Sequence, residues 1–245
     1  MIPLTPLLTP RRLASERGLG WITDGWKLFT QAPGEWLLIT LVSLGVLLVT
    51  GMVPLLGSLA SPFVSVLVAG GFLRVAHAQQ NGTKPAVGAV FDILSDARLK
   101  PLLITTLLYV ALCFAAVLLV GMVFGLGGGA MALIGGALGG EDAALAGAGG
   151  AALLGVLVLL LLITPVLAMY WFAVPLVLFR EIEPWEAMKA SLAAVLANVL
   201  PLLVYGVVTA LLGMLALIPL GLGMLVFVPV LLISWLLSYQ EIFAD

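Results

Sequence analysis

Residues 101–125, PLLITTLLYVALCFAAVLLVGMVFG, contain no Asp, Glu, Lys, Arg or His. A helix of that length measures roughly 37 Å at about 1.5 Å per residue, and the hydrocarbon core of a bilayer is about 30 Å thick. Comparable apolar runs occur near 35–53, 61–79, 151–179, 199–218 and 223–239. The sequence therefore predicts an all-α polytopic membrane protein with six transmembrane helices.

Composition supports the same fold class. Of 245 residues, 63% are hydrophobic and 9% are charged, whereas soluble domains average about 25% charged residues. So few charges leave the surface of a soluble globule uncovered. A disordered chain and a nucleic-acid-binding protein are excluded for the same reason, since both need many charged residues.

The basic residues predict the orientation. All ten Lys and Arg lie before the first run, between the second and third runs including the end of the second, or between the fourth and fifth. Basic residues concentrate on the cytoplasmic side of membrane proteins. We therefore expect both termini in the cytoplasm, with residues 1–14 as an N-terminal cytoplasmic tail and 15–245 as one transmembrane domain.

A threefold pseudo-repeat is predicted over residues 15–80, 84–180 and 184–240. Each unit has a first proline near the start of one apolar run and a second proline in the next run, 29, 64 and 28 residues later. The first prolines are Pro33, Pro101 and Pro201, and the second are Pro62, Pro165 and Pro229. The alternative is chance, because membrane helices are rich in proline.

An amphipathic segment precedes each predicted hairpin, at 15–32, 84–99 and 184–199. In the first, Leu19, Ile22, Trp26 and Phe29 recur at helical spacing. Such helices lie in the membrane interface, and a groove on a partner protein is the alternative. The tryptophans expected to serve as interfacial anchors are Trp21, Trp26, Trp36 and Trp185.

The middle unit carries a glycine-rich insertion, LGGGAMALIGGALGGEDAALAGAGG, at 126–150. Glycine raises the entropic cost of order, so we expect a flexible loop outside the cytoplasm. A short re-entrant or interfacial helix is the alternative.

Few side chains suit chemistry. His77 and Cys113 are the single His and Cys, which predicts neither a metal site nor a catalytic set, and no cofactor is expected. Reckoned by depth along the helices, Glu35, Arg74 and Glu241 are candidates for an ion-pair cluster near the cytoplasmic boundary. We expect a structural role for this cluster, with substrate recognition as the alternative.

Three stretches carry a resemblance to a known family. They are GLGWITDGWKLFTQAPGEW at 18–36, and YWFAVPLVLFREIEPWEAMKASLAAVLANVLPLLVYG at 170–206 with IPLGLGMLVFVPVLLISWLLSYQEIF at 218–243. The chain resembles an uncharacterised family of six-helix inner-membrane proteins of Gram-negative bacteria, and is more distantly similar to YciC-type membrane proteins. The resemblance implies a bacterial inner membrane and six spans, and it implies no activity and no site residue.

The expected function is non-enzymatic. An accessory or assembly subunit, or a membrane-organising protein, would act through contacts with membrane lipids and with a membrane-protein partner or a second copy. A permease or lipid-handling protein with a cavity between the three hairpins is the alternative, and an intramembrane enzyme is a more distant one.

Overall fold

The computed structural model describes residues 9–244, and within them the secondary structure is helical without strands. Residues 1–8 of the predicted tail lie outside the described part. The fold has two compact units. The larger contains the described residues up to Thr106 and from Met169 onward, and the smaller is Leu107–Ala168.

Five helical elements are long and apolar enough to cross a membrane. Four are single helices, namely α2 (Pro33–Gly51), α3 (Leu56–Gln80), α8 (Val199–Leu217) and α9 (Met224–Ile242). The fifth is a run of 82 residues, Leu99–Arg180. Because the runs predicted at 101–125 and 151–179 both fall within it, the described helices supply five candidates where the sequence predicts six spans.

That long element is divided by local irregularities. It contains α4 (Leu99–Val120), a π-helical turn (Gly121–Gly125), α5 (Leu126–Trp171) and α6 (Ala173–Arg180). Within α5 the backbone leaves helical geometry at Gly140, where φ is 78° and ψ is −169°. Only glycine adopts this conformation without strain.

The glycine-rich insertion is therefore helical on both sides of Gly140, and the flexible loop expected at 126–150 is wrong. A Cβ placed on Gly128 would come within 3.1 Å of Ala151, and one on Gly135 within 2.6 Å of Ala143. These paired positions show two antiparallel arms in close contact. Glycine and alanine are small enough to allow that approach, so the composition that suggested a loop instead permits a tight hairpin.

The three predicted amphipathic segments take different forms. The first is α1 (Arg17–Phe29) and the third is α7 (Pro184–Ala197). The second is a 3₁₀-helix, Gly88–Ser95, in place of an α-helix. Its buried residues Val90 and Ile93 are three apart, and residues at that spacing share a face in a 3₁₀-helix.

The six prolines of the predicted repeat all lie within helices. Pro33 begins α2, while Pro101 and Pro201 are each the third residue of their helix. Proline lacks an N–H donor, and the first turn of a helix needs none there. The second prolines lie inside α3, α5 and α9, at Pro62, Pro165 and Pro229.

Helix α1 packs against α8 and α9. Its covered face consists of Gly18, Trp21, Ile22, Gly25, Leu28 and Phe29. On the opposite side Leu19 is 51% exposed and Trp26 is 50% exposed. The apolar stripe predicted from the sequence is thus shared between a protein-facing side and an outer side.

Two glycines bring α1 close to its neighbours. A Cβ on Gly18 would overlap the carbonyl oxygen of Pro201 at the start of α8. A Cβ on Gly25 would lie 3.1 Å from the carbonyl oxygen of Val230 and 3.1 Å from the Ser234 Cβ of α9. Small residues at such crossings let backbones meet, which is a main source of helix association in membranes.

We expect Gly18→Ala to destabilise the protein by about 1 to 3 kcal/mol, because the added methyl overpacks the contact with Pro201. Thermal unfolding in detergent measures the effect. Gly45→Ala in α2 is the matched control, since a Cβ there meets no atom within 4 Å. Equal melting temperatures for the two variants would contradict the close contact.

Candidate functional site

Glu241 near the end of α9 joins the last helix to the first. The Arg17 guanidinium donates to its carboxylate through Nη2 at 2.7 Å and through Nε at 2.7 Å. The indole Nε1 of Trp21 donates to the same carboxylate at 2.7 Å. Trp21 is fully buried, so the carboxylate satisfies a polar group that would be costly to leave unpaired.

A second polar contact links α1, α2 and α3. The Trp36 Nε1 donates to the Gln79 Oε1 at 2.8 Å, and the Gln79 Nε2 donates to the carbonyl oxygen of Leu28 at 2.9 Å. Both side chains are buried. The end of α3 therefore fixes the end of α1 and the start of α2 together.

The four predicted tryptophan anchors divide into two pairs. Trp21 and Trp36 are fully enclosed by protein, so their assignment as interfacial anchors is wrong: neither ring can reach a lipid headgroup. Trp26 and Trp185 are about half exposed, as an anchor at the membrane interface requires.

The predicted ion-pair cluster is not brought together. Arg74 pairs with Asp96. Glu35 pairs with Lys84 at 2.6 Å, and Glu241 pairs with Arg17. Each predicted residue forms an ion pair, but with a partner other than the two expected.

Asp96 was missed because it lies just beyond the 3₁₀-helix, in the segment between α3 and α4. Val90 of that 3₁₀-helix packs directly on Gly71 of α3, which carries Asp96 back toward Arg74. The Asp96 Oδ1 also accepts a hydrogen bond from the backbone N–H of Arg98. The position of a residue along its helix predicts how deep its charge lies in the membrane, but it does not predict which neighbouring segment supplies the partner.

Asn198, between α7 and α8, holds the N-terminal segment. It is buried. Its Oδ1 accepts from the backbone N–H of Leu13 at 2.9 Å, and its Nδ2 donates to the carbonyl oxygen of Arg11 at 2.8 Å. The backbone N–H of Arg11 donates in turn to the carbonyl oxygen of Ile242. The sequence offered one signal for this site, a lone amide within an apolar stretch.

An apolar groove of about 650 Å³ lies among α1, α8 and α9. Two lining residues are polar, Thr23 and Lys27, and both belong to α1. The residues that line it from α8, from α9 and from the turn between them are Leu212, Leu215, Ala216, Pro219, Gly223, Val226, Phe227 and Val230. This volume falls within the roughly 300–1,000 Å³ typical of small-molecule sites.

The polar side of the groove carries charges of both signs. The Lys27 Nζ donates to the Asp24 Oδ1 at 2.9 Å, and this hydrogen bond holds the pKa of the Asp24 carboxyl below its ordinary value. Arg17 Nη2 lies 3.5 Å from the same carboxylate. Asp24 therefore stays ionised near neutral pH and keeps the Lys27 side chain beside the groove.

The groove, with its apolar wall and the Lys27 ammonium beside it, suits the binding of hydrocarbon next to a cation.

Among residues 9–244, no three His, Cys, Asp or Glu side chains converge in a way that could hold a metal ion. Comparison of the chain with protein-family models, with curated proteins and with solved structures finds no match.

We expect Arg74→Ala to destabilise the protein by about 2 kcal/mol, because the mostly buried Asp96 carboxylate loses a charged hydrogen-bond partner. Adding Asp96→Asn should recover part of the loss, since the amide carries no charge and retains an oxygen for Arg98. Melting temperatures of the single and double variants test this pairing. The control is Glu35→Gln added to Arg74→Ala, and recovery there instead would place the partner of Arg74 in α2.

Removal of the Glu241 carboxylate should be more damaging than removal of an exposed one. Glu241→Ala leaves the buried Trp21 indole unpaired and leaves Arg17 with Asp24 as its remaining ion-pair partner, a loss of about 2 to 3 kcal/mol. The control is Glu186→Ala in α7, whose ion pair with Lys189 is half exposed and contributes about 0.5 kcal/mol. Denaturation of both variants in one detergent gives the comparison, and similar losses would show that Glu241 is dispensable.

Proposed function

We propose that the chain is a six-span protein of the bacterial inner membrane with both termini in the cytoplasm. Five apolar elements support this, since the 82-residue run Leu99–Arg180 among them reverses at Gly140 and so provides two antiparallel arms. The distribution of Lys and Arg supports the orientation. The resemblance to the six-helix inner-membrane family and the placement of the prolines support three pseudo-repeated hairpins.

This topology predicts opposite accessibility for two engineered cysteines. In a Cys113→Ser background, Ala143→Cys should react with a membrane-impermeant maleimide added to spheroplasts, because it follows the turn at Gly140 on the outer side. Lys84→Cys, between α3 and α4, should react only after the cells are opened. The reverse pattern would invert the protein in the membrane.

We further propose that the protein is a non-enzymatic accessory or membrane-organising protein that acts through lipid and protein contacts. The observation that supports this proposal is that, in the larger unit, polar side chains are bound inside the protein and large apolar side chains lie on its outer surface. Its buried polar side chains bind within the protein. Some bind another helix, as Tyr205 in α8 and Ser234 in α9 do at 3.0 Å, and others bind a carbonyl of their own helix, as Thr40 in α2 does. Its outer surface presents large apolar side chains, among them Leu200, Leu203, Val207 and Leu211 along α8.

Such a distribution fits a protein whose working surface is its lipid- and partner-facing exterior. In a bilayer, exposed apolar side chains meet lipid tails or the helices of other membrane proteins. The polar groups stabilise the fold from within. The candidate partners are membrane lipids and a membrane-protein partner or a second copy of the chain.

A lipid-handling protein is the second candidate function, and the groove favours it. The groove is formed by α1, α8 and α9, so it belongs to the third hairpin and the first amphipathic helix. The cavity predicted between three hairpins is thus not needed for this function.

Extraction with surrounding lipid, followed by native mass spectrometry, tests the proposal. We expect the chain to carry a protein partner, a second copy or a lipid in a fixed ratio. Glu241→Ala serves as a comparison, since loss of the contact between α1 and α9 should weaken a specific complex and leave nonspecific lipid unchanged. Recovery of the bare monomer alone would overturn the proposal.

A further inference from the structure

The groove among α1, α8 and α9 opens on helices that are suited to cross a membrane. Leu212 and Leu215 line it and are themselves exposed. At that level of a bilayer the surrounding medium is hydrocarbon, and water finds too few polar partners in such a groove. The chemistry of the site therefore selects an apolar chain as its occupant.

The groove is also polarised along its length. All its lining residues from α8, α9 and the turn between them are apolar, while α1 contributes Thr23 and Lys27 one helical turn apart. Lys27 is 73% exposed along its side chain. Its ammonium has three N–H donors, and Asp24 engages one of them.

The level of α1 agrees with a lipid headgroup. The helix begins next to Glu241 at the end of α9, and its last turn contacts Gln79 at the end of α3. In the proposed topology both of those helix ends are cytoplasmic. A headgroup of the inner leaflet would thus lie next to α1, with its chain directed along α8 and α9.

We infer that this groove holds one acyl chain of an anionic phospholipid of the inner leaflet, with the headgroup phosphate beside Lys27. The inference rests on the proposed membrane placement and names one lipid contact within the proposed function. A helix of a second copy would also fit an apolar groove, but α3, α4 and α8 contain no Asp or Glu to pair with Lys27. In α2 and α9 the acidic side chains, Glu35 and Glu241, are already paired.

Filling the groove tests the occupant. Ala216→Phe projects a ring from α8 into the space, and Ala210→Phe on the same helix is the control, since Ala210 is exposed and lies outside the lining. After extraction with native lipid, the parent protein and Ala210→Phe should each retain one phospholipid per chain. For Ala216→Phe we expect about tenfold lower occupancy. Val226→Phe fills the groove from α9 and provides a second variant should the first fail to fold.

The headgroup has its own matched pair of variants. Lys27 and Lys189 each form an ion pair with the acidic residue three positions earlier, but only Lys27 lines the groove. In nanodiscs of equal phosphatidylglycerol and phosphatidylethanolamine, Lys27→Gln should reduce the preference for the anionic lipid. The expected factor is about fivefold, equivalent to about 1 kcal/mol per basic residue near an anionic surface. Lys189→Gln should leave the preference unchanged.

The outcomes separate this inference from the proposed function. A protein partner recovered without bound lipid would overturn the groove assignment and leave an accessory role standing. Bound lipid that Ala216→Phe does not reduce would place the lipid elsewhere, and a dimer that Ala216→Phe dissociates would make the occupant a second copy. A bare monomer would overturn both the inference and the proposed function.

Discussion

The Glu241 carboxylate is the contact on which the arrangement of the larger unit depends. It binds Arg17 and Trp21, which lie more than 200 residues earlier in the chain. Helices in a bilayer gain little from hydrophobic burial against each other, since lipid tails are as apolar as their side chains. The charged hydrogen bond to the buried Trp21 indole and the close packing at Gly18 and Gly25 supply the stabilisation that hydrophobic burial does not. Together they set the position of α1, and α1 forms the polar side of the groove.

The sequence predicted the bounds of the amphipathic helices more accurately than it predicted whether protein or membrane covers their apolar faces. The segments expected at 15–32 and 184–199 correspond to α1 (Arg17–Phe29) and to α7 (Pro184–Ala197). Periodicity reports which side of a helix is apolar, and a membrane and a protein surface both satisfy that requirement. Hence Trp21 and Trp26, five residues apart on one helix, have opposite environments that the pattern alone does not distinguish.

The charged residues and the glycines show the same limit of sequence patterns, which do not reveal contacts between distant segments. Reckoning depth along helices predicted that Glu35, Arg74 and Glu241 form one cluster, whereas each of them pairs with a different residue. Their partners come from α1 and from the segment between α3 and α4, whose paths are set by tertiary packing. In the insertion, glycine content suggested disorder because isolated glycine disfavours helix. Close contact between the two arms around Gly140 reverses that expectation. Helix propensities describe single residues and do not include such a contact.

The contact between α8 and α9 also bears on which function the groove serves. A Cβ on Gly213 would lie 3.4 Å from the Phe227 ring, and one on Gly223 would lie 2.7 Å from the Cα of Ala216. Ala216, Gly223 and Phe227 also line the groove, so α8, the turn after it and α9 are in close contact where they form its surface. A permease needs a path that continues between its helices, whereas a lipid that stabilises a protein or recruits a partner needs only a site of one-sided access. For the proposed lipid site, this packing favours retention over transport, and Gly213 contributes by letting α8 approach Phe227 of α9.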